Sequence, residues 1–371
     1  MIRIPSCIPS IQRLQGLKSA ALVAATAALL AACSTPGSLQ SSSTPGAIPG
    51  QVPGRPEITP QIAAAADTLN RMATLHERLY RISAPLLIDN AQLCTKHARN
   101  LLGFTAKNRY TYPGQYNEAA WLVLGMGERL QVTNVLNGSG AARAGLRQGD
   151  RLLAAGGTPL PEGPNALSQA GAVFGPIMAK QATLPLSIER NGNARDLTIP
   201  VTRACAFAIE LGNADNINAY ADGARVMVTR GMLGFTQNDD ELAYVVARTM
   251  AHNMLGHAAT QRNAATIGSI IDNLTAITPD TSMLIGSGGI KAMSAADDVA
   301  ADRLAIYLAA RAGYRVDGAS TFWKRLAATY PARILNGYTA NHPSTTQRIA
   351  AIDKAVAEVK VKQSGKKPLV P

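Results

Sequence analysis

Two periodicities share this chain, and their order restricts the fold more than any other feature. Apolar residues recur at helical spacing from Ile62 to Ile82 and again beyond Asn238. Between them, residues 113–203 are glycine-rich and alternate apolar with polar side chains. A sheet-forming block set between helix-forming blocks implies one domain inserted into another. The 371 residues leave room for about two domains plus appendages. Thr59-Pro60 offers an N-cap and a proline at the first helical position, and Ser83-Ala84-Pro85 is expected to end that helix.

Within the middle block, residues 138–157 read GSGAARAGLRQGDRLLAAGG. The Gly145-Leu146 turn, and Gly149-Asp150 followed by Leu152-Leu153, resemble the PDZ family. Leu184 to Arg190 and Leu197 to Val201 alternate on either side of Asn191-Gly192, a hairpin-turn pair. The resemblance implies a peptide-binding module, with a carboxylate-cradling loop expected near Leu124-Gly125-Met126-Gly127.

From residue 204 onward the pattern is strand, then helix. Phe207, Ile209 and Leu211 alternate, Asp222-Gly223 reads as a turn, and Arg225 to Thr229 reads as a strand. Asn238 and Glu241 form a capping box opening a helix expected to run to about residue 262. Further helices are expected at 294–312, 317–329 and 344–360, with a fraying lysine-rich tail.

The strings NAYADGARVMVTRGML, DDELAYVVARTMAHNMLGH, AADRLAIYLAARAGY and NHPSTTQR, in this order, resemble the zinc peptidase family that includes HtpX, the CAAX-prenyl proteases and BepA-type proteases. In active members a helix carries His-Glu-x-x-His. Two histidines four apart project from one face to grip zinc, and the glutamate takes a proton from the metal-bound water. A third ligand comes from a Glu-Ala-Asp pattern on a later helix. Here the first motif reads Arg248-Thr249-Met250-Ala251-His252 and the second Ala300-Ala301-Asp302. The resemblance therefore implies a lost ligand at Arg248, a lost base at Thr249, a remnant ligand at His252 and a lost third ligand at Ala300. No catalytic residue and no cofactor are expected, although active relatives use zinc. An arginine cannot release its proton, so it repels a dication.

Asp298 and Asp302 flank Ala300 by two positions and are expected to aim poorly, leaving a makeshift His252, His342 and Asp298 site as a minor alternative. Arg248 is expected to pair with Asp298 or Asp302. His252, Asp302, His342 and Arg348 form the expected remnant pocket. His252 and His257, five apart on a continuous helix, would not share a face. The family resemblance assigns extended-peptide pairing to the strand Val226-Met227-Val228. The segment 266–293, with Gly268, Gly286, Gly288 and Gly289, reads as a lid beside the cleft or a buried helical hairpin.

Arg3, Arg13 and Lys18 precede an apolar run from Ser19 to Leu30, too short to span a bilayer but suited to a secretory signal. Leu30-Ala31-Ala32-Cys33 resembles the bacterial lipobox, which implies cleavage before Cys33 and lipidation of it. Ser34 resembles the outer-membrane sorting pattern. Residues 34–60 are rich in proline and serine and read as a tether spanning on the order of 30 Å as a coil. Of the remaining cysteines, Cys94 and Cys205 bracket the middle block. In an oxidising compartment they are expected to pair, two buried thiols being the alternative.

The expected organisation is a signal peptide (1–32), tether (33–60), N-terminal helical part (61–112), PDZ-like domain (113–203), metallopeptidase-like domain (204–358) and basic tail (359–371). The fold class is α+β, a helix-rich zincin-like domain interrupted by a PDZ-like small β-barrel. The net charge of +12 favours anionic partners such as a membrane surface. No zinc finger or aromatic-interleaved basic run points to nucleic acid. The expected role is an envelope scaffold, lipid-anchored in the outer membrane facing the periplasm, that binds unfolded or C-terminal peptide segments of envelope proteins. A periplasmic zinc endopeptidase with an atypical metal site and a structural docking partner are the alternatives.

Overall fold

A strong N-cap starts helix α1 (Pro60–Asp89), where the Thr59 hydroxyl accepts from the Ile62 amide at 3.3 Å. In this computed structural model residues 57–260, 264–284, 292–332 and 337–371 are described. The signal and lipobox, Cys33, most of the tether, and Gly286, Gly288 and Gly289 lie outside them. Contrary to the expected stop, α1 continues through Pro85. Proline weakens a helix interior, but buried Ser83, Ala84, Leu86 and Leu87 lock this turn into the core. Asn90 closes the helix, its Nδ2 donating to Leu86 O and Leu308 O, both at 3.0 Å.

Strands β1 (Ala98–Leu101) and β2 (Phe104–Lys107) follow, then α2 (Gln115–Leu122), β3 (Gln131–Val135), α3 (Gly140–Arg143), β4 (Arg151–Ala155) and β5 (Thr158–Pro159). Next come α4 (Ala166–Lys180), β6 (Thr183–Arg190), β7 (Asn193–Pro200) and β8 (Thr202–Cys205). One sheet runs β2-β3-β4-β6-β7, with β5 on β4. It starts at Phe104, not at residue 113, so residues 61–112 are not purely a helical part of the other domain. The path is open among the described residues: β2 and β7 are its ends, so it is an open sheet rather than a closed barrel. Its own core gathers Phe104, Val132, Leu152, Phe174, Leu186 and Ile188. Asn191 and Gly192 both take positive φ (54° and 77°), as a two-residue hairpin requires. Asp150 accepts from Arg190 Nε at 2.6 Å and from the Arg147 amide at 2.8 Å, tying the Gly149-Asp150 turn to β6.

β1 pairs antiparallel with β8, and Cys94 and Cys205 are disulfide-bonded with Cα atoms 5.8 Å apart. Both ends of the sheet-forming block therefore leave side by side.

The chain continues with β9 (Ala208–Gly212), β10 (Ala219–Ala221), β11 (Arg225–Thr229), α5 (Arg230–Phe235), α6 (Asp239–Met254), α7 (His257–Thr260) and α8 (Ala264–Leu274). The helices α9 (Ala295–Arg311), α10 (Ala319–Thr329), α11 (Tyr338–Asn341) and α12 (Thr346–Ser364) complete it. The second sheet runs β10-β11-β9, with β11 parallel to β9 and antiparallel to β10. α6 opens at Asn238, whose side chain accepts from the Glu241 amide at 3.0 Å. It ends at Met254, short of residue 262, because Gly256 turns the chain at φ +75°. The main core joins α1, α6, α9, α10 and α12 through residues such as Leu79, Val245, Tyr307, Phe322 and Ile352. α8 lies on the small sheet, packing Ile267, Ile270, Ile271 and Leu274 against Tyr220 and Met227. The lysine-rich end does not fray: α12 extends to Ser364, and Leu369 packs against the main core while its carbonyl accepts from Arg311 Nη1 at 3.4 Å.

Candidate functional site

α6 is buried along nearly its whole length, so the polar residues on it must find partners inside the protein. Arg248 is 1 % exposed. Its Nε donates to Asp302 Oδ1 and its Nη2 to Asp298 Oδ1, each at 2.5 Å, and Nη1 donates to the Tyr338 hydroxyl. The guanidinium also lies 5.3 Å and 5.5 Å from the ring centres of Tyr338 and Trp323. Arg348 on α12 grips the same carboxylate bidentately, Nε to Asp302 Oδ2 at 2.7 Å and Nη2 to Asp302 Oδ1 at 3.0 Å. The network ties α6, α9, α11 and α12 together.

Three histidines border it. His342 Nδ1 lies 2.8 Å from Asp298 Oδ1. His252 stands four residues after Arg248 on the same helix face, and its Nε2 faces Asp298 Oδ1 at 3.6 Å with no hydrogen-bond partner among the described residues. Its Nδ1 meets His257 Nδ1 at 2.9 Å. The expectation that these two histidines diverge fails because α6 stops at Met254 and Gly256 folds His257 back. Tyr220, Ala221, Ile267 and Asn341 wall the cavity beside Arg248 and His252.

Charges set the titration of each group. Burial opposes ionisation of Arg248, but Tyr338, Asp302 and Asp298 outweigh it and hold its pKa above the ordinary value. Burial would raise Asp298, yet His342 and Arg248 hold it well below the usual carboxylate range. Burial and then Arg248 push His252 far below the usual imidazole value. The same two causes bring His342 to about 4 against the pull of Asp298. Tyr338 rises to about 12, chiefly from burial.

The register of α9 corrects the expected third ligand. Ala300 is exposed, whereas Asp298 and Asp302, four apart, share the buried face and aim at Arg248. The carboxylates expected to aim poorly are the ones that build the site. Their i,i+4 spacing was the legible signal, and the same spacing pairs Tyr338 with His342, whose rings lie 4.8 Å apart. Trp323 and His257 carried no such signal.

Two peptide-binding assignments are also overturned. Val226, Met227 and Val228 form the central strand, fully buried with both edges taken by β9 and β10. The edge strands are β10 and β9, and β10 is the one that walls the cavity. Thr229 N donates to Asn218 O at 3.1 Å, and by antiparallel alternation the backbone of Ala219 and Ala221 turns away from β11. In the other sheet, the amides of Leu124 and Met126 donate to Ala119 O and Ala120 O, and Met126 packs with Ile62 and Leu69 of α1. With these two amides turned back onto α2, Leu124-Gly125 does not present the row of free amides that cradles a carboxylate. The edge strands of that sheet are β2 and β7.

A helix presenting residue pairs four apart toward a carboxylate-bearing second helix is the arrangement expected from the sequence motifs. Residues 189–356 match the family model of Peptidase family M48. The mitochondrial metalloendopeptidase OMA1 of Schizosaccharomyces pombe is 29% identical over 153 residues, which is 39% of this chain and 45% of that protein. The chain thus spans about half the length of that relative. A solved HtrA3 PDZ domain bound to a phage-derived ligand aligns at 17% identity over 29% of this chain and 89% of its own, with a TM-score of 0.23.

Zinc is the metal of active members of the peptidase family that the sequence motifs resemble. Ligand atoms of His252, Asp298 and His342 lie within 4.8 Å of one another, and the bare His252 Nε2 is a donor in waiting. However, Asp298 Oδ1 already receives Arg248 at 2.5 Å and His342 at 2.8 Å. A guanidinium held there repels a dication. The Thr249 hydroxyl donates to Val245 O at 2.8 Å within its own helix, so no base stands where the M48 motif has its glutamate. The residues as arranged do not fit a family-type zinc site.

Proposed function

We propose that this chain is a pseudopeptidase: a metallopeptidase-type domain that binds extended or C-terminal peptide segments of envelope proteins without cleaving them. The observation that carries the reading is the Arg248 guanidinium fixed between Asp298 and Asp302 at the heart of the motif. Without an activated water and a base, the cleft retains only its capacity to bind. The β10 edge supports that capacity: the Ala219 amide is taken by Asn218 Oδ1 at 2.8 Å, but the outward backbone of Ala221 has no partner among the described residues, and an extended peptide adds there by strand pairing. The glycine-rich sheet, read as PDZ-like, offers a second edge at β2. The lipobox-like Cys33 and the tether motivate placement on the outer membrane, facing the periplasm.

A specific observation favours a second reading. Three donor residues converge within 4.8 Å, as an atypical zinc endopeptidase would need. Elemental analysis of purified protein beginning after Cys33, with casein cleavage and binding of a fluorescent extended peptide, separates the two. Pseudopeptidase function predicts negligible zinc, no cleavage, and peptide binding that Ala221→Pro weakens by at least about tenfold. Stoichiometric zinc with chelator-sensitive cleavage would establish the endopeptidase instead. Neither binding nor cleavage would leave a docking role toward another envelope protein.

A further inference from the structure

The aspect of the site that its relatives' chemistry does not explain is how complete the donor set is. His252 Nε2 is buried, 3.6 Å from Asp298 Oδ1 and without a hydrogen-bond partner among the described residues, and an unsatisfied buried nitrogen is costly. Zinc bonds of about 2.0–2.2 Å place tetrahedral ligand atoms roughly 3.3–3.6 Å apart. The ligand atoms of His252, Asp298 and His342 are already within 4.8 Å of one another. Small side-chain rotations would bring them onto one ion. What opposes this is Arg248 Nη2 on the central oxygen, anchored by Asp302 and Tyr338 behind it.

We propose that Arg248 is the resident cation of a divalent-metal site. Its guanidinium sits against a donor set of His252, Asp298 and His342 that is otherwise sufficient, and it keeps the native protein free of transition metals. The proposal rests on the reading of the cleft as non-catalytic, but it concerns what excludes the ion rather than what the cleft binds. Arg348 is central to it. Because Arg348 holds Asp302 by two hydrogen bonds, removing Arg248 leaves Asp302 paired and makes Asp298 available to a new cation.

The test titrates ZnCl2 into the purified native chain and into Arg248→Ala, following bound zinc by elemental analysis after desalting and unfolding by thermal shift. The native chain should retain no zinc and show no shift. Arg248→Ala should take up one zinc per chain, with a Tm rise on the order of 5–10 °C at a hundredfold excess over Kd. His252→Ala added to Arg248→Ala should abolish both effects. If Arg248→Ala does not fold alone, Arg248→His refolded with and without ZnCl2 gives the answer. Metal-dependent recovery supports the proposal, and recovery in neither condition overturns it. A folded Arg248→Ala that ignores zinc also overturns it, as does a native chain that takes up zinc through His252. Peptide binding by the native chain, measured in parallel, reports on the pseudopeptidase reading independently.

Discussion

Removing the Asp302 carboxylate tests the buried charge network most directly. Its side chain has no exposure, and it receives Arg248 Nε at 2.5 Å, Arg348 Nε at 2.7 Å and Arg348 Nη2 at 3.0 Å. Asp302→Ala therefore deprives two buried guanidinium groups of a shared partner, Asp298 remaining for both at 2.5 Å and 3.9 Å. Losing one member of a buried ion pair costs about 3–5 kcal/mol, since the partner stays desolvated and unpaired. For a domain of this size, that corresponds to a Tm loss of roughly 6–20 °C. Urea unfolding of the native chain, Asp302→Ala, Arg248→Met and the double variant closes a double-mutant cycle. The coupling should exceed about 1.5 kcal/mol, because the second change removes a charge that the first left stranded. A cost below about 1 kcal/mol for Asp302→Ala, the range of exposed pairs, would show that water reaches the cluster and refute the reasoning.

Other outcomes follow from the same geometry. Stability should be flat above about pH 7 and fall as pH drops from 6.5 toward 4. His342 titrates near 4 when folded against 6.5 when free, so the unfolded chain takes up the proton first. His252 acts in the same direction, and each depressed histidine contributes a slope of up to about 1.4 kcal/mol per pH unit, readable from urea midpoints. Asp298, depressed below its usual range, adds a further loss as pH falls below about 4. Cys94→Ser with Cys205→Ser should destabilise by up to about 4–5 kcal/mol, the chain-entropy value for a loop of this size, and a reductant should then change the variant's unfolding little. Gly140→Ala should cost at least about 3 kcal/mol in the same assay. Its new Cβ would fall 1.7 Å from Pro200 O, and a backbone atom cannot rotate away.

Local rules carried the sequence reading a long way. Thr59, Asn238 and Asn191-Gly192 mark helix starts and a hairpin through bonds spanning four residues or fewer, so their neighbours suffice to determine them. The motif around Arg248-Thr249 raised the expectation of altered chemistry before any packing was known, and the bracketing cysteines that of a pinched insert. Tertiary structure alone decided which faces meet. The α9 register turned Ala300 to solvent and Asp298 inward, the Gly256 turn brought His257 back to His252, and the sheet order placed Val226 to Val228 at the centre with β10 at the edge. Pro85 stayed helical because its neighbours are held in the core. A capping bond or turn preference acts over a few residues and is written locally. The direction of a side chain into a site depends on how distant helices and strands stack, and burial enforces that only after the whole chain has packed.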